Sequence, residues 1–116
     1  MVNPVGPKND PVYGYPVSRF EADHIVPFDE IMRMPRLVKL QPNKIKEIVN
    51  LRGNIMGLGK PSNASKGALS WSDWNGHSRL GPVSPDVRAS MLQRESEARS
   101  ALQRALEERL NTNGSN

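Results

Sequence analysis

Apolar and polar residues along this chain alternate in short segments, with one long exception. From Ser18 to Val26 the alternation has a period of two. Phe20, Ala22 and His24 fall on one face and Arg19, Glu21 and Asp23 on the other, predicting a strand that Pro27 ends. Asp29 is placed to cap a short helix over 30–34, which Pro35 interrupts. A further helical turn is predicted over 36–40. After Gln41-Pro42-Asn43 a third short helix covers 44–49, with Ile45, Ile48 and Val49 apolar. A second strand is predicted over 54–58, among tight turns marked by Gly53, Gly57 and Gly59. Ser62 then caps a helix that opens at Asn63 and runs to about Trp74. Leu69, Trp71 and Trp74 give it an apolar face to cover the strands. Residues 75–82 read as loop.

The exception is the C-terminal segment. Ser84-Pro85-Asp86 combines a capping hydroxyl, a proline at the first helical position and a carboxylate near the positive end of the helix dipole. Val87, Met91, Ala98, Leu102, Ala105, Leu106 and Leu110 then follow helical spacing on one stripe. The pairs Glu95–Arg99 and Arg104–Glu108 lie four apart and support the helix. The predicted helix spans 85–110 and packs across the domain, with 111–116 fraying. At the other end, Pro4, Pro7, Pro11 and Pro16 with Gly6 and Gly14 exclude a regular helix or central strand. Residues 1–17 read as an arm lying on the domain, anchored by Tyr13 and Tyr15. The fold class is α+β and mostly helical, with residues 18–84 as the core unit.

Composition narrows the chemistry. At 116 residues with 36% hydrophobic content, the chain supports one domain with a modest core. No apolar run approaches the roughly 18 residues that cross a bilayer, and the polar, Pro-rich N-terminus does not read as a signal peptide, so no membrane anchor is expected. The absence of Cys and the presence of only two His exclude a thiolate zinc site or a multi-His one. The net charge of +4 is uneven: residues 1–84 hold eleven Lys/Arg against seven Asp/Glu, whereas 85–116 hold five of each. The excess positive charge lies with the strands, where a phosphate-binding surface would need it.

Three pieces then stand in order. Asp23-His24-Ile25-Val26-Pro27 ends the first strand. Asn54-Ile55-Met56-Gly57-Leu58 follows thirty residues after His24, and Asn63-Ala64-Ser65-Lys66-Gly67 begins nine residues after Asn54. A carboxylate and an amide oxygen suit a divalent cation, and a neutral imidazole beside them suits activation of water. The pattern resembles the HNH (His-Me finger, ββα-metal) endonucleases over roughly residues 19–74, with Asn rather than His at the third position. The segment between His24 and Asn54 is longer than the compact hairpin of the simplest members. Asn50 competes for the middle position; the nine-residue step to Asn63 selects Asn54.

The resemblance implies a ββα-metal finger, a short hairpin plus a helix, extended here by added helices. It implies His24 as general base and Asp23 and Asn63 as metal ligands. Asn54 would hold the imidazole in its working tautomer or fix the loop. Lys66 would contact phosphate, steady the leaving group or stand in solvent. Arg19, Arg52 and Lys60 would bind nucleic-acid backbone. His77 lies outside the motif. Hard oxygen ligands suit Mg2+ or Mn2+ rather than Zn2+ or Ni2+. The expected activity is phosphodiester hydrolysis on DNA with little sequence preference, RNA remaining open. Chain size and the Pro/Gly-rich arm resemble a C-terminal toxin domain of a bacterial polymorphic toxin. That implies secretion or injection into a target cell's cytoplasm and a cognate, acidic immunity protein. A phage or restriction origin and a non-catalytic nucleic-acid-binding module are the alternatives.

Overall fold

The computed structural model describes residues 8–114, with side chains through Thr112. Residues 1–7 of the expected arm and 115–116 of the expected tail lie outside the described residues. The elements in chain order are β1 (Lys8–Asn9), β2 (Pro16–Val17), β3 (Glu21–His24), α1 (Phe28–Met32), α2 (Pro42–Val49), β4 (Ile55–Leu58), α3 (Lys60–Lys66), β5 (Gly76–His77), β6 (Gly81–Pro82) and α4 (Pro85–Gly114). Single 3-10 turns at Leu37–Lys39 and Arg52–Asn54 complete the set. The class is α+β: three separate two-stranded antiparallel pairs, short helices and one long C-terminal helix.

The central pair is β3 with β4, in the register Glu21–Leu58, Ala22–Gly57, Asp23–Met56 and His24–Ile55. Its strands are shorter than their alternation predicts. Residues 18–20 bend before the ladder, and Ile25 and Val26 leave it to bond to Asn54. The insertion between the strands thus closes at its base. Within it, α1 begins at Phe28 behind Pro27 with no side-chain cap, so Asp29 lies inside the helix and does not cap it. Arg36, at φ 70°, turns the chain into the next 3-10 turn.

The largest departure from expectation is α3. It starts at Lys60, three residues before the predicted start, and ends at Lys66 rather than near Trp74. Gly67 adopts φ 51°, a left-handed conformation that stops the helix. Ser62 is buried inside α3 instead of capping it, and its hydroxyl and that of Tyr15 are hydrogen-bonded at 2.9 Å. Beyond Gly67 the chain turns at Ser70–Trp74, which buries Trp71 and Trp74 edge to face at 5.4 Å but leaves Leu69 exposed. Two buried Trp side chains, at about 150–250 Å² each, contribute about 4–6 kcal/mol apiece by area as an upper estimate. The segment read as loop over 75–82 contains the small β5–β6 hairpin.

The thirty-residue α4 runs along the domain and continues to Gly114, four residues beyond its expected end. The predicted stripe is its inner face: Met91, Ala98, Leu102, Ala105 and Leu106 are buried, and Val87 and Leu110 pack against the core. Glu95 is buried in the same stripe. It accepts a hydrogen bond from the Trp71 amide at 2.8 Å and pairs with Arg99 at 3.3 Å. Arg88 donates to the carbonyls of Trp71 and Trp74, so α4 holds the 70–74 turn from two sides.

The described part of the arm forms the β1–β2 hairpin and is tied down by three side chains. Buried Asp10 accepts from the amides of Val12, Tyr13 and Gly59. Tyr13 OH donates to the Gly81 carbonyl and accepts from the His77 amide. Tyr15 OH accepts from the Ser62 amide inside α3. Gly59 is required here because a Cβ at that position would run into the Tyr15 ring. No helix among the described residues is long and apolar enough to cross a membrane.

Candidate functional site

The site is built on β3 and α3. The period of two sends Glu21 and Asp23 to the same side of β3. Across from them, Asn63 and Lys66 are three apart on α3 and share a face of that helix. Asn63 donates its amide Nδ2 to Glu21 Oε1 at 3.2 Å. Lys66 reaches Asp23, with its Nζ 3.2 Å from Oδ1 and 3.1 Å from Oδ2, and also donates to the His24 carbonyl at 3.4 Å. Both members of this ion pair are buried, the Lys66 side chain completely. The Trp71 ring lies 5.2 Å from the ammonium, a cation–π contact.

Burial raises the Asp23 carboxyl above its usual value, and the charge and hydrogen bond of Lys66 offset this only in part. Asp23 Oδ2 faces the ammonium yet receives no directional hydrogen bond, and Nε2 of the neighbouring His24 is buried with no partner at all. Buried polar atoms left unbonded are uncommon and mark strain, chemistry or an unseen ligand. Only three such side-chain atoms occur among the described residues, and two of them belong to this dipeptide.

Asn54 does not approach the role of holding the imidazole. It is fully buried, its Oδ1 accepting from the Val26 amide at 2.6 Å and its Nδ2 donating to the Val26 carbonyl at 3.0 Å. Of the two expected roles it performs the second, fixing the loop that follows His24. Lys66 also departs from expectation. It is not a solvent-exposed cation, because α3 ends there and Trp71 and Asp23 enclose it.

Arg19 and Lys60 are exposed and line one open cavity of about 260 Å³ with Tyr15, Ser18 and Pro61. Arg52 is exposed at the other end of β4, on the side where His24 pairs with Ile55. Positive charge thus flanks the hairpin at both ends. His77 sits on β5, its Nδ1 accepting from the Arg79 amide. Sequence reasoning did not assign Glu21 to the site, although its alternation with Asp23 placed it on the right face. Nor did it single out Asp10, and it read Glu95 only as the helix partner of Arg99; both also bind backbone amides distant in the chain, of Gly59 and Trp71, which no local pattern reveals.

A hard divalent cation of the type the resemblance implies fits the donor chemistry. Asp23 Oδ2 receives no directional hydrogen bond, though the Lys66 ammonium lies 3.1 Å from it, and Asn63 on α3 carries an amide oxygen besides the nitrogen that it commits to Glu21. These two residues would supply two oxygen ligands; no group of three or more His, Cys, Asp or Glu arranged to hold a metal occurs among the described residues. No family model, curated protein or solved structure matches this chain.

Proposed function

We propose that this chain is a small metal-dependent endonuclease of the HNH type that hydrolyses phosphodiester bonds of DNA with little sequence preference. The observation that carries the reading is the unpartnered, buried Nε2 of His24 beside Asp23 at the end of β3, with Asn63 facing that strand from α3. The order β3, β4, α3 is the order of a ββα-metal finger, with α1 and α2 inserted between the strands.

In this reading His24 Nε2 takes a proton from the attacking water, and Asn54 keeps the backbone after His24 in place through Val26. Asp23 and Asn63 would hold Mg2+ or Mn2+, whose chemistry when bound is to stabilise charge on the phosphate and the leaving oxygen. Arg19, Lys60 and Arg52 hold the nucleic-acid backbone along the hairpin. By its size and Pro/Gly-rich arm, which resemble such domains, the chain is a toxin domain delivered into a target cell and restrained by an acidic immunity protein.

The rival is a non-catalytic nucleic-acid-binding module, and the occupation of Asp23 by Lys66 speaks for it. Plasmid relaxation separates the two. The nuclease nicks supercoiled DNA with magnesium and stops in chelator, and His24→Ala lowers the rate by about 10²–10⁴ with DNA affinity retained. A His24→Ala protein within threefold of wild type would sink the proposal.

A further inference from the structure

Lys66 is the one buried cation of the site, and the nuclease reading gives it no task. Its side chain is wholly enclosed, and among the described residues Asp23 is the carboxylate within ion-pair distance of it. Two local devices put it there. Helical spacing from Asn63 aims it at β3, and the left-handed Gly67 ends α3 directly after it. The Trp71 ring, whose backbone amide is held by Glu95, lies 5.2 Å from the ammonium. The ammonium therefore stands against the oxygens that a divalent ion would need.

We propose that Lys66 is the resident counter-cation of this site: its ammonium holds the Asp23 carboxylate before a divalent ion arrives, and the two cations compete for that carboxylate. The proposal rests on the reading of Asp23 as a metal ligand. Physically, a buried carboxylate needs a positive partner, and removing one member of a buried pair leaves the other uncompensated. With Lys66 present, that need is met without metal, so divalent binding gains little stability and must work against a like charge. Without Lys66, the carboxylate has no partner until a divalent ion supplies one. A purely structural ion pair behaves differently: its loss destabilises the fold, and no metal restores it.

The test is Mn2+ titration of wild type, Lys66→Met, Lys66→Gln and the Lys66→Met/Asp23→Asn double variant, read by thermal unfolding and by the electron paramagnetic resonance of free Mn2+. Lys66→Met should melt lower than wild type without metal and recover with Mn2+, with a binding midpoint about tenfold or more below that of wild type. The double variant, which lacks both charges, should show no such recovery. Lys66→Gln keeps a neutral donor for Asp23 and provides the same comparison if Lys66→Met does not fold. The proposal is overturned if neither single variant binds Mn2+ more tightly than wild type, or if the double variant recovers equally. Wild type that cleaves plasmid with Mn2+ while the variants gain no affinity removes this inference alone. Absence of Mn2+ binding in all four proteins removes the metal-ligand reading with it.

Discussion

Asn54 shows how far residue types reach without coordinates. Its spacing to Asn63 marks it as part of the motif, but spacing does not say which atoms it bonds. The structure gives both ends of its amide to the backbone of Val26, across the base of the insertion. Asn54→Ala leaves a buried amide and a buried carbonyl without partners, at about 1–3 kcal/mol for each such group. We expect a loss of about 2–4 kcal/mol in urea unfolding, and a loss below about 0.5 kcal/mol would contradict the role. Lys66 was legible as a member of the pattern and illegible as a buried cation. Its burial depends on where α3 stops and on a Trp ring brought in from the following turn, and neither is local to it.

At the level of elements, the sequence was most informative where periodicity ran longest. The stripe on α4 and its Ser84-Pro85-Asp86 start both stand as read, the Ser84 hydroxyl accepting from the Val87 amide at 3.3 Å. Boundaries failed where a single residue overrode the pattern, as Gly67 does for α3. Glu95–Arg99 forms as expected, yet Arg99 also makes a two-pronged pair with Glu30 of α1, at 2.6 and 2.9 Å. This bridge ties the insertion to α4. The hydrogen bond from Arg99 holds the Glu30 carboxyl below its ordinary value of 4.5, ahead of a smaller opposing effect of burial. A carboxyl depressed in the folded state stabilises fully above its unfolded pKa, and that stabilisation disappears as pH falls through the folded one. The wild-type melting temperature should therefore fall more steeply than that of Glu30→Gln as the pH is lowered below about 4.5. Parallel curves would show that the bridge, half open to solvent, contributes nothing measurable.

For the whole molecule, charge placement is the feature the sequence disclosed most directly, because residue counts need no fold. Of the eleven Lys and Arg in residues 1–84, Arg19 and Lys60 stand around one cavity and Arg52 at the far end of the hairpin. If these side chains track phosphates, duplex DNA affinity falls steeply with salt. Arg19→Ala/Lys60→Ala should lower the slope of log K against log salt by about 2, near 0.9 for each phosphate that is no longer neutralised. An unchanged slope would move the binding surface elsewhere. Within the described residues of the N-terminal arm, Tyr13 and Tyr15, the two anchors named from the sequence, hydrogen-bond to Gly81, His77 and Ser62. The sequence did not foresee that Asp10 joins that arm to Gly59, just before α3.

The hold of α4 on the 70–74 turn also sets an order of events during synthesis. Everything up to residue 84 leaves the ribosome before α4, so a nascent chain already contains Asp23, His24 and Asn63 while it lacks Arg88 and Glu95, which fasten Trp71 behind Lys66. At about 5–20 residues per second, the thirty residues of α4 add about two to six seconds. During that interval α2 and the Arg52–Asn54 turn have no long helix to pack on, and the apolar stripe that completes the core is still being made. Until then the enclosure of Lys66 lacks the two side chains that hold Trp71 against it, so this buried cation is fastened last.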